Sequence, residues 1–431
     1  MDTKLQAIAG RSARDPAAKF DALMHLFGVD DLERCFHGLD GKKAVGADGV
    51  RKEDYGRDLE ANLNSLTERI RRMGYRPGPV RERLIPKEGK PGSYRPLGIS
   101  DFEDKIIQKR MAEILEAIYE PLFLGCSYGF RPGRDCHTAI KALDGVVFKE
   151  PVYTVVDIDL KSFFNTIDHE WLMKMLGHKI RDRTFLRYVK RMLKAGVLSE
   201  GELRVTDEGT PQGSIVSPVL SNIYLHHALD EWFEKMVKKH CRGRAWLFRY
   251  ADDAIACLEY DWDAQRYAKA LPKRMGKFGL EVQADKSSMV SFTRKKPPKQ
   301  NGSFEFLGFT WYMKRSRKGN TTPALKTSRK KFCAKLKRVK EWIRKEKDRQ
   351  RLGPIWATFC AKLRGHINYY GVSHNSREVS NFLYRARRIV FKWLNRRSQR
   401  KSFTWEQFGQ FEKQFPLPRV RIVHPLFRVG R

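Results

Sequence analysis

The sequence is short of acidic residues, of paired cysteines and of long apolar runs. Its 50 Asp and Glu face 85 Lys and Arg, a formal net charge of +35. That imbalance argues against an enzyme whose partners are all neutral and points to a polyanion. The seven cysteines (Cys35, Cys126, Cys136, Cys241, Cys257, Cys333 and Cys360) contain no Cys-x-x-Cys pair, which excludes a zinc ribbon or knuckle. An odd, scattered set suits reduced thiols in a cytosol. No apolar run is long enough for a membrane span, and Met1-Asp-Thr-Lys-Leu-Gln lacks a signal-peptide core. A cytoplasmic setting without a membrane partner is therefore expected, bacterial first and an organellar matrix second. The Gly-x-x-x-x-Gly-Lys loop of an NTPase is missing, and no internal repeat is visible.

What is present is a large, foldable chain. At 431 residues and 41% hydrophobic content it can bury a core in roughly two to three domains. The charge is uneven. Residues 311–431 hold 33 Lys and Arg against 6 Asp and Glu, while residues 1–310 hold 52 against 44. The last quarter reads as the main nucleic-acid surface.

Apolar spacing predicts helices over Lys19 to Phe27, Leu59 to Met73 and Phe102 to Tyr119. Val80 to Ile85 reads as a strand. It runs into a Gly- and Pro-rich reversal at Pro86 to Ile99 that carries Lys87 and Arg95. Two cations brought together by a hairpin can grip a triphosphate, or can simply be solvated. Near the C-terminus Lys331 to Lys345, Ile355 to Tyr370 and Val379 to Leu394 read as helices with cations and aromatics interleaved. Such a surface can hold phosphates by charge and stack bases, or it can be a bundle with core aromatics and a basic exterior.

The chemistry lies in between. Tyr153-Thr-Val-Val-Asp-Ile-Asp-Leu160 is a strand whose Asp157 and Asp159 share a face, and periodicity cannot choose between them. Two further strands flank the turn Tyr250-Ala-Asp-Asp253. Carboxylates gathered on one face call for a hard cation, Mg²⁺ above all. Two such ions about 3.5–4 Å apart clamp the attacking and leaving oxygens of an in-line displacement. Convergence requires the two stretches to be neighbours in one sheet.

Five ordered blocks together resemble the reverse transcriptase and maturase proteins encoded by group II introns. They are Ile85-Pro-Lys with Tyr94-Arg-Pro-Leu-Gly-Ile99; Ser127-Tyr-Gly-Phe-Arg-Pro-Gly-Arg134; Asp159-Leu-Lys-Ser-Phe-Phe-Asn-Thr-Ile-Asp-His169; Glu208-Gly-Thr-Pro-Gln-Gly213; and Tyr250-Ala-Asp-Asp253. Gly279-Leu280 with Lys286, and Phe304-Glu-Phe-Leu-Gly-Phe309, match later blocks. The likeness runs from about residue 40 to the C-terminus.

The resemblance implies an α+β fold of right-hand polymerase architecture. Its divisions would be an N-terminal helical extension and start of the fingers (1–80), fingers (81–150), a palm with an antiparallel sheet (151–311), a helical thumb or maturase domain (312–400) and a basic tail (401–431). It implies RNA-directed DNA synthesis from deoxynucleotides with two Mg²⁺ ions, Mn²⁺ being a possible substitute, on Asp159, Asp252 and Asp253. Lys87, Arg95, Gln212 and Lys286 would face the nucleotide, and Phe164 would crowd a ribose 2′-hydroxyl. Phe306, Leu307, Gly308 and Phe309 would support the primer end. Arg131, Arg134, Lys335, Arg338, Tyr369, Tyr370, Arg387, Arg388, Arg396 and Arg397 are candidate nucleic-acid contacts. Partners would be intron RNA, an RNA template and a DNA target or primer, with splicing and intron mobility as the setting. Asn165 stands where many members have Asp. No His/Asn/Cys-rich nuclease block follows Phe415 to Phe427, so a short form without an endonuclease is expected, its primer coming from elsewhere. A splicing-only maturase and a defence-associated or CRISPR-linked reverse transcriptase are the alternatives. The sequence does not give the oligomeric state.

Overall fold

A computed structural model describes residues 2–86, 92, 94–199, 202–204, 208–210, 213–285, 287–397 and 403–426. The chain divides into two compact units, one of residues 1–139 and 156–289, the other of residues 140–155 and 290–431. Both mix α and β structure, and antiparallel strand pairs dominate.

The first unit is built around the helix Phe102–Tyr119, whose predicted bounds match those observed. Ile106, Ile107, Met111, Ile114, Leu115 and Ile118 are all buried, so the helix is apolar nearly all round and sits inside the unit. Its one fully buried cation, Arg110, is neutralised by Asp2 and Asp31 at 3.0 and 2.9 Å. One sheet carries β1 (Val80–Pro86), β2 (Tyr94–Ile99), β4 (Val197–Ser199) and β5 (Glu202–Arg204) in the order β2-β1-β4-β5. β1 and β2 are antiparallel with Ile85 opposite Arg95, whereas β1 and β4 are parallel. The second sheet has the order β6-β7-β3-β8, from β3 (Thr154–Asp159), β6 (Ala245–Tyr250), β7 (Asp253–Leu258) and β8 (Ser288–Ser291).

The expected helix over Lys19 to Phe27 does not form. Only Met24–Leu26 makes a 3₁₀ turn. Phe20, Leu23 and Phe27 are buried, but the backbone there bonds to a distant segment. Phe20 N–H donates to Lys179 O, and Leu23 N–H donates to the Asp182 carboxylate. Tertiary partners override local periodicity here.

In the second unit β9 (Phe304–Phe306), β10 (Phe309–Arg315) and β11 (Thr321–Thr327) form a three-stranded sheet. The helices Arg329–Glu346, Leu352–Tyr370, Ser376–Leu394 and Trp405–Gln414 follow. Fully buried Asn375 locks sheet to helix: its Oδ1 accepts from Thr327 N, and its Nδ2 donates to Tyr370 O and Thr327 Oγ1. No helix among the described residues is long and apolar enough to cross a membrane.

One buried carboxyl gives the fold a pH signature. Asp104 is 3% exposed and accepts from Tyr75 Oη and Gly78 N–H. Burial pushes its carboxyl from 3.8 up to about 7. The folded state therefore holds the proton more tightly than the unfolded chain. That stabilisation is complete at low pH and is lost as pH rises through about 7. Between about pH 4 and about pH 7 the wild type should lose stability relative to Asp104→Asn, by at most about 1.4 kcal/mol per unit. Urea unfolding of both proteins across that range measures it, and parallel curves would contradict it.

Candidate active site

The hairpin of β6 and β7 pairs from Ala245 with Leu258 to Tyr250 with Asp253, so only Ala251 and Asp252 close it. Ala251 sits at φ +56°. Two-residue hairpins need such left-handed backbone and ordinarily supply it with Gly, Asn or Asp. Alanine there costs on the order of 1–3 kcal/mol and persists only where the surroundings over-determine it.

They do so through Arg249, which is fully buried. Its Nε and Nη2 donate to the two oxygens of Asp230 at 2.7 and 2.6 Å. Nη1 donates to Asn222 Oδ1 at 2.9 Å and to Ala251 O at 3.1 Å, and Nη2 also donates to Ser127 Oγ at 2.8 Å. Asn222 in turn donates to Gly129 O at 2.8 Å. Gly129 lies so close to the turn that a Cβ there would stand 2.4 Å from Ala251 N. Sequence reasoning misses this network. Its only trace is an arginine inside the apolar run Ala245-Trp-Leu-Phe-Arg-Tyr250, which a buried strand position obliges to find a counter-ion.

Asp159 ends β3, the sheet neighbour of β7, and Asp253 opens β7. The end of β3 is pinned: Asp159 N–H donates to Ser287 Oγ at 3.2 Å, and Gln283 N–H donates to Asp159 O at 2.8 Å. Burial pushes the Asp252 carboxyl above the ordinary carboxylate range. The charge of Asp159 pushes the same way, while Arg95 and Arg249 pull it back. Asp159 and Arg95 thus each lie within electrostatic reach of Asp252. A half-buried group of carboxylates with hard oxygen donors is a set that a divalent Mg²⁺ or Mn²⁺ ion relieves, so the residues fit such an ion.

Arg95 is exposed on β2. Phe164 is half-buried, its ring edge-on to Phe163 at 5.3 Å. Gly209 and Thr210 are tied to the Phe164–His169 stretch: Thr210 N–H donates to Phe164 O, Gly209 N–H donates to Ile167 O, and His169 Nε2 meets Gly209 O at 2.6 Å. Gly213, at φ +113°, leaves room for Gly98 O, which a Cβ would meet at 2.4 Å. Lys87, Gln212 and Lys286 lie outside the described residues. In the same unit Arg131 is spent on Glu120 and on the carbonyls of Leu124 and Ser127. Arg134 donates to Gly125 O and Ser127 O and lies over Tyr128.

In the second unit Leu307 and Gly308, at φ +49° and +79°, close the two-residue hairpin between Phe306 and Phe309. Both phenylalanines are buried, and Leu307 O accepts from Tyr369 Oη. Tyr370 is buried, with Lys335 over its ring at 4.5 Å. Arg338, Arg388 and Arg396 are exposed. Arg387 is paired with Glu412, and Arg397 donates to Gln350 O.

Comparisons with known proteins give the family. The profile of the reverse transcriptase (RNA-dependent DNA polymerase) family matches residues 85–311. Protein YkfC of Escherichia coli is 31% identical over 350 residues, covering 72% of this chain and 88% of that protein. The group II intron-encoded protein LtrA of Lactococcus lactis is 36% identical over 218 residues, covering 51% of this chain and 36% of LtrA. An uncharacterized 91 kDa protein in a cob intron of Schizosaccharomyces pombe is 44% identical over 158 residues, 37% of this chain. The chain spans only 19% of that yeast protein. The chain belongs to the reverse transcriptase family.

Gly129→Ala would push a methyl group into the backbone of the turn that carries Asp252. DNA synthesis should fall by about a hundredfold, as misplacement of about an ångström can do. Cooperative unfolding should remain. Single-turnover incorporation measures this, and wild-type rates would show that the turn tolerates displacement.

Proposed function

We propose that the chain is an RNA-directed DNA polymerase that also binds the RNA of a group II intron as a maturase. The carrying observation is the Asp252 turn beside the end of β3, with Asp159 acting electrostatically on Asp252. On this reading residues 81–150 are fingers, 151–311 palm, 312–400 a helical thumb or maturase domain and 401–431 a basic tail, in a right-hand architecture. Residues 1–80 are an N-terminal helical extension and the start of the fingers.

Asp159, Asp252 and Asp253 would hold the Mg²⁺ ions. When bound, these ions supply charge neutralisation at the phosphates and acidify a primer 3′-hydroxyl. The protein's own share is rigidity. Its carboxylates sit on paired strands and a braced turn, so little reorganisation is needed as charge develops. Arg95 offers a planar fork to the triphosphate, and Lys87 is assigned as a second cation on the resemblance alone. Phe164 sets a steric limit against a ribose 2′-hydroxyl. Gln212 and Lys286 are assigned to the nucleotide side on the resemblance alone. The tight turn at Leu307-Gly308 gives the primer strand a backbone surface to rest on.

The maturase role rests on the second unit. Lys335, Arg338, Arg388 and Arg396 are the cations best placed for phosphates, and Tyr384 at 55% exposure can stack on a base. Arg131 and Arg387, each held by a glutamate, serve better as braces. A splicing-only maturase is the weaker reading, because the chain keeps all three carboxylates and the costly turn that presents two of them.

Replacing Asp252 and Asp253 together by Ala should abolish extension of a DNA primer on an RNA template while leaving intron RNA binding nearly intact. Undiminished synthesis by that variant would end the polymerase assignment. RNA affinity should fall about a thousandfold between about 50 mM and about 200 mM salt if six or more phosphates are held. A filter-binding titration across that range tests this, and a flat response would remove the basic helices from the interface.

A further inference from the structure

The helix that follows Ser217–Leu225 departs from α geometry over His226–Asp230, where the Glu231 N–H reaches back to His226 O in a π turn. Such wide turns are rare and gather at functional positions. This one brings His226, His227 and Glu231 to one place, with a ligand atom of each within 4.8 Å of the other two. The cluster lies on the same turn as Asp230, which holds Arg249 beneath the Asp252 hairpin.

Two ring nitrogens there have no partner. His226 is only 6% exposed, and its Nδ1 is buried without a hydrogen bond. The Nε2 of His227 is likewise buried and unmatched. On its other side His227 Nδ1 meets Glu231 Oε2 at 2.7 Å. An ion pair between His227 and Glu231 accounts for that contact and for nothing else. It leaves both remaining nitrogens desolvated and without a hydrogen bond. Burial also holds His226 down to about 4, so its ring is neutral at physiological pH and can offer a lone pair.

We propose that His226, His227 and Glu231 form a site for a borderline divalent transition metal, Zn²⁺ by its chemistry, that braces the turn carrying Asp230. Two imidazoles and a carboxylate are poor company for Mg²⁺ and a common set for Zn²⁺. Tetrahedral Zn²⁺ places its ligand atoms roughly 3.3 Å apart, so small rotations close the site. The ring centre of His178 lies 5.7 Å from that of His227, outside the three-residue cluster, so water would complete the coordination. Lys235 now pairs with Glu231 at 2.5 Å, but it is largely exposed and can swing away. Arg274 also approaches. Its guanidinium is taken up by the carbonyls of His227 and Ala228 and stays on the backbone side.

The test is a calorimetric titration of chelator-stripped full-length protein with Zn²⁺ in excess Mg²⁺, with thermal unfolding alongside. Asp252→Asn serves as the control for Zn²⁺ entering the catalytic carboxylates. The expected result is one Zn²⁺ per chain and a raised unfolding temperature, in the wild type and in Asp252→Asn alike. His227→Gln and Glu231→Gln alter half-buried side chains and should leave the fold intact. Each should weaken binding at least about tenfold and lose the thermal shift. The deeper His226 is left in place in both variants, so the core around it is undisturbed. No binding beyond that abolished by Asp252→Asn, or equal affinity in the His227 and Glu231 variants, would overturn the proposal.

Discussion

Everything at the candidate active site leans on one buried ion pair, Arg249 with Asp230. The two side chains are 1% and 0% exposed, so neither charge has water to fall back on. A buried pair repays its desolvation only when the remaining donors and acceptors are also satisfied. Here all five guanidinium N–H groups are placed, on Asp230 twice, Asn222, Ala251 and Ser127. The pair therefore does more than neutralise itself. It ties the 127–129 loop, the helix after Ser217 and the β6-β7 hairpin to a single planar group, and holds a left-handed alanine in place just before Asp252.

That rigidity has a purpose where like charges must be kept close. Burial and the charge of Asp159 both disfavour ionised Asp252, and Arg95 and Arg249 offset part of that conflict. A looser hairpin would relax the conflict by letting the carboxylates drift apart. The strained turn, the crowded Gly129 and the pinned end of β3 prevent that drift. Stability given up locally becomes a prepared set of oxygens, the arrangement expected where charge must be stabilised without delay.

Much of this was legible in the sequence because it is written in local periods. The helix Phe102–Tyr119 and the strands on either side of Ala251-Asp252 follow from side-chain spacing alone. So does the shared face of Asp157 and Asp159; choosing Asp159 needed the family resemblance. What stayed hidden depends on distant partners. The helix pattern of Lys19 to Phe27 gave way to bonds with Lys179 and Asp182. Arg131 reads as a free cation until Glu120 is seen beside it. Arg249 and Asp230 are 19 positions apart on different elements, and neither is part of a motif that announces the other. The C-terminal charge excess was plain, but which of its cations face outward depends on helix packing.

The most direct measurement is anomalous scattering from Mn²⁺ in crystals of the protein with a primer, an RNA template and an incoming deoxynucleotide. The expected result is an anomalous peak bounded by the carboxylates of Asp159 and Asp252, absent when both are replaced by Asn. Mn²⁺ bound only elsewhere, with those two carboxylates facing apart, would contradict the view that the braced hairpin exists to present a metal site.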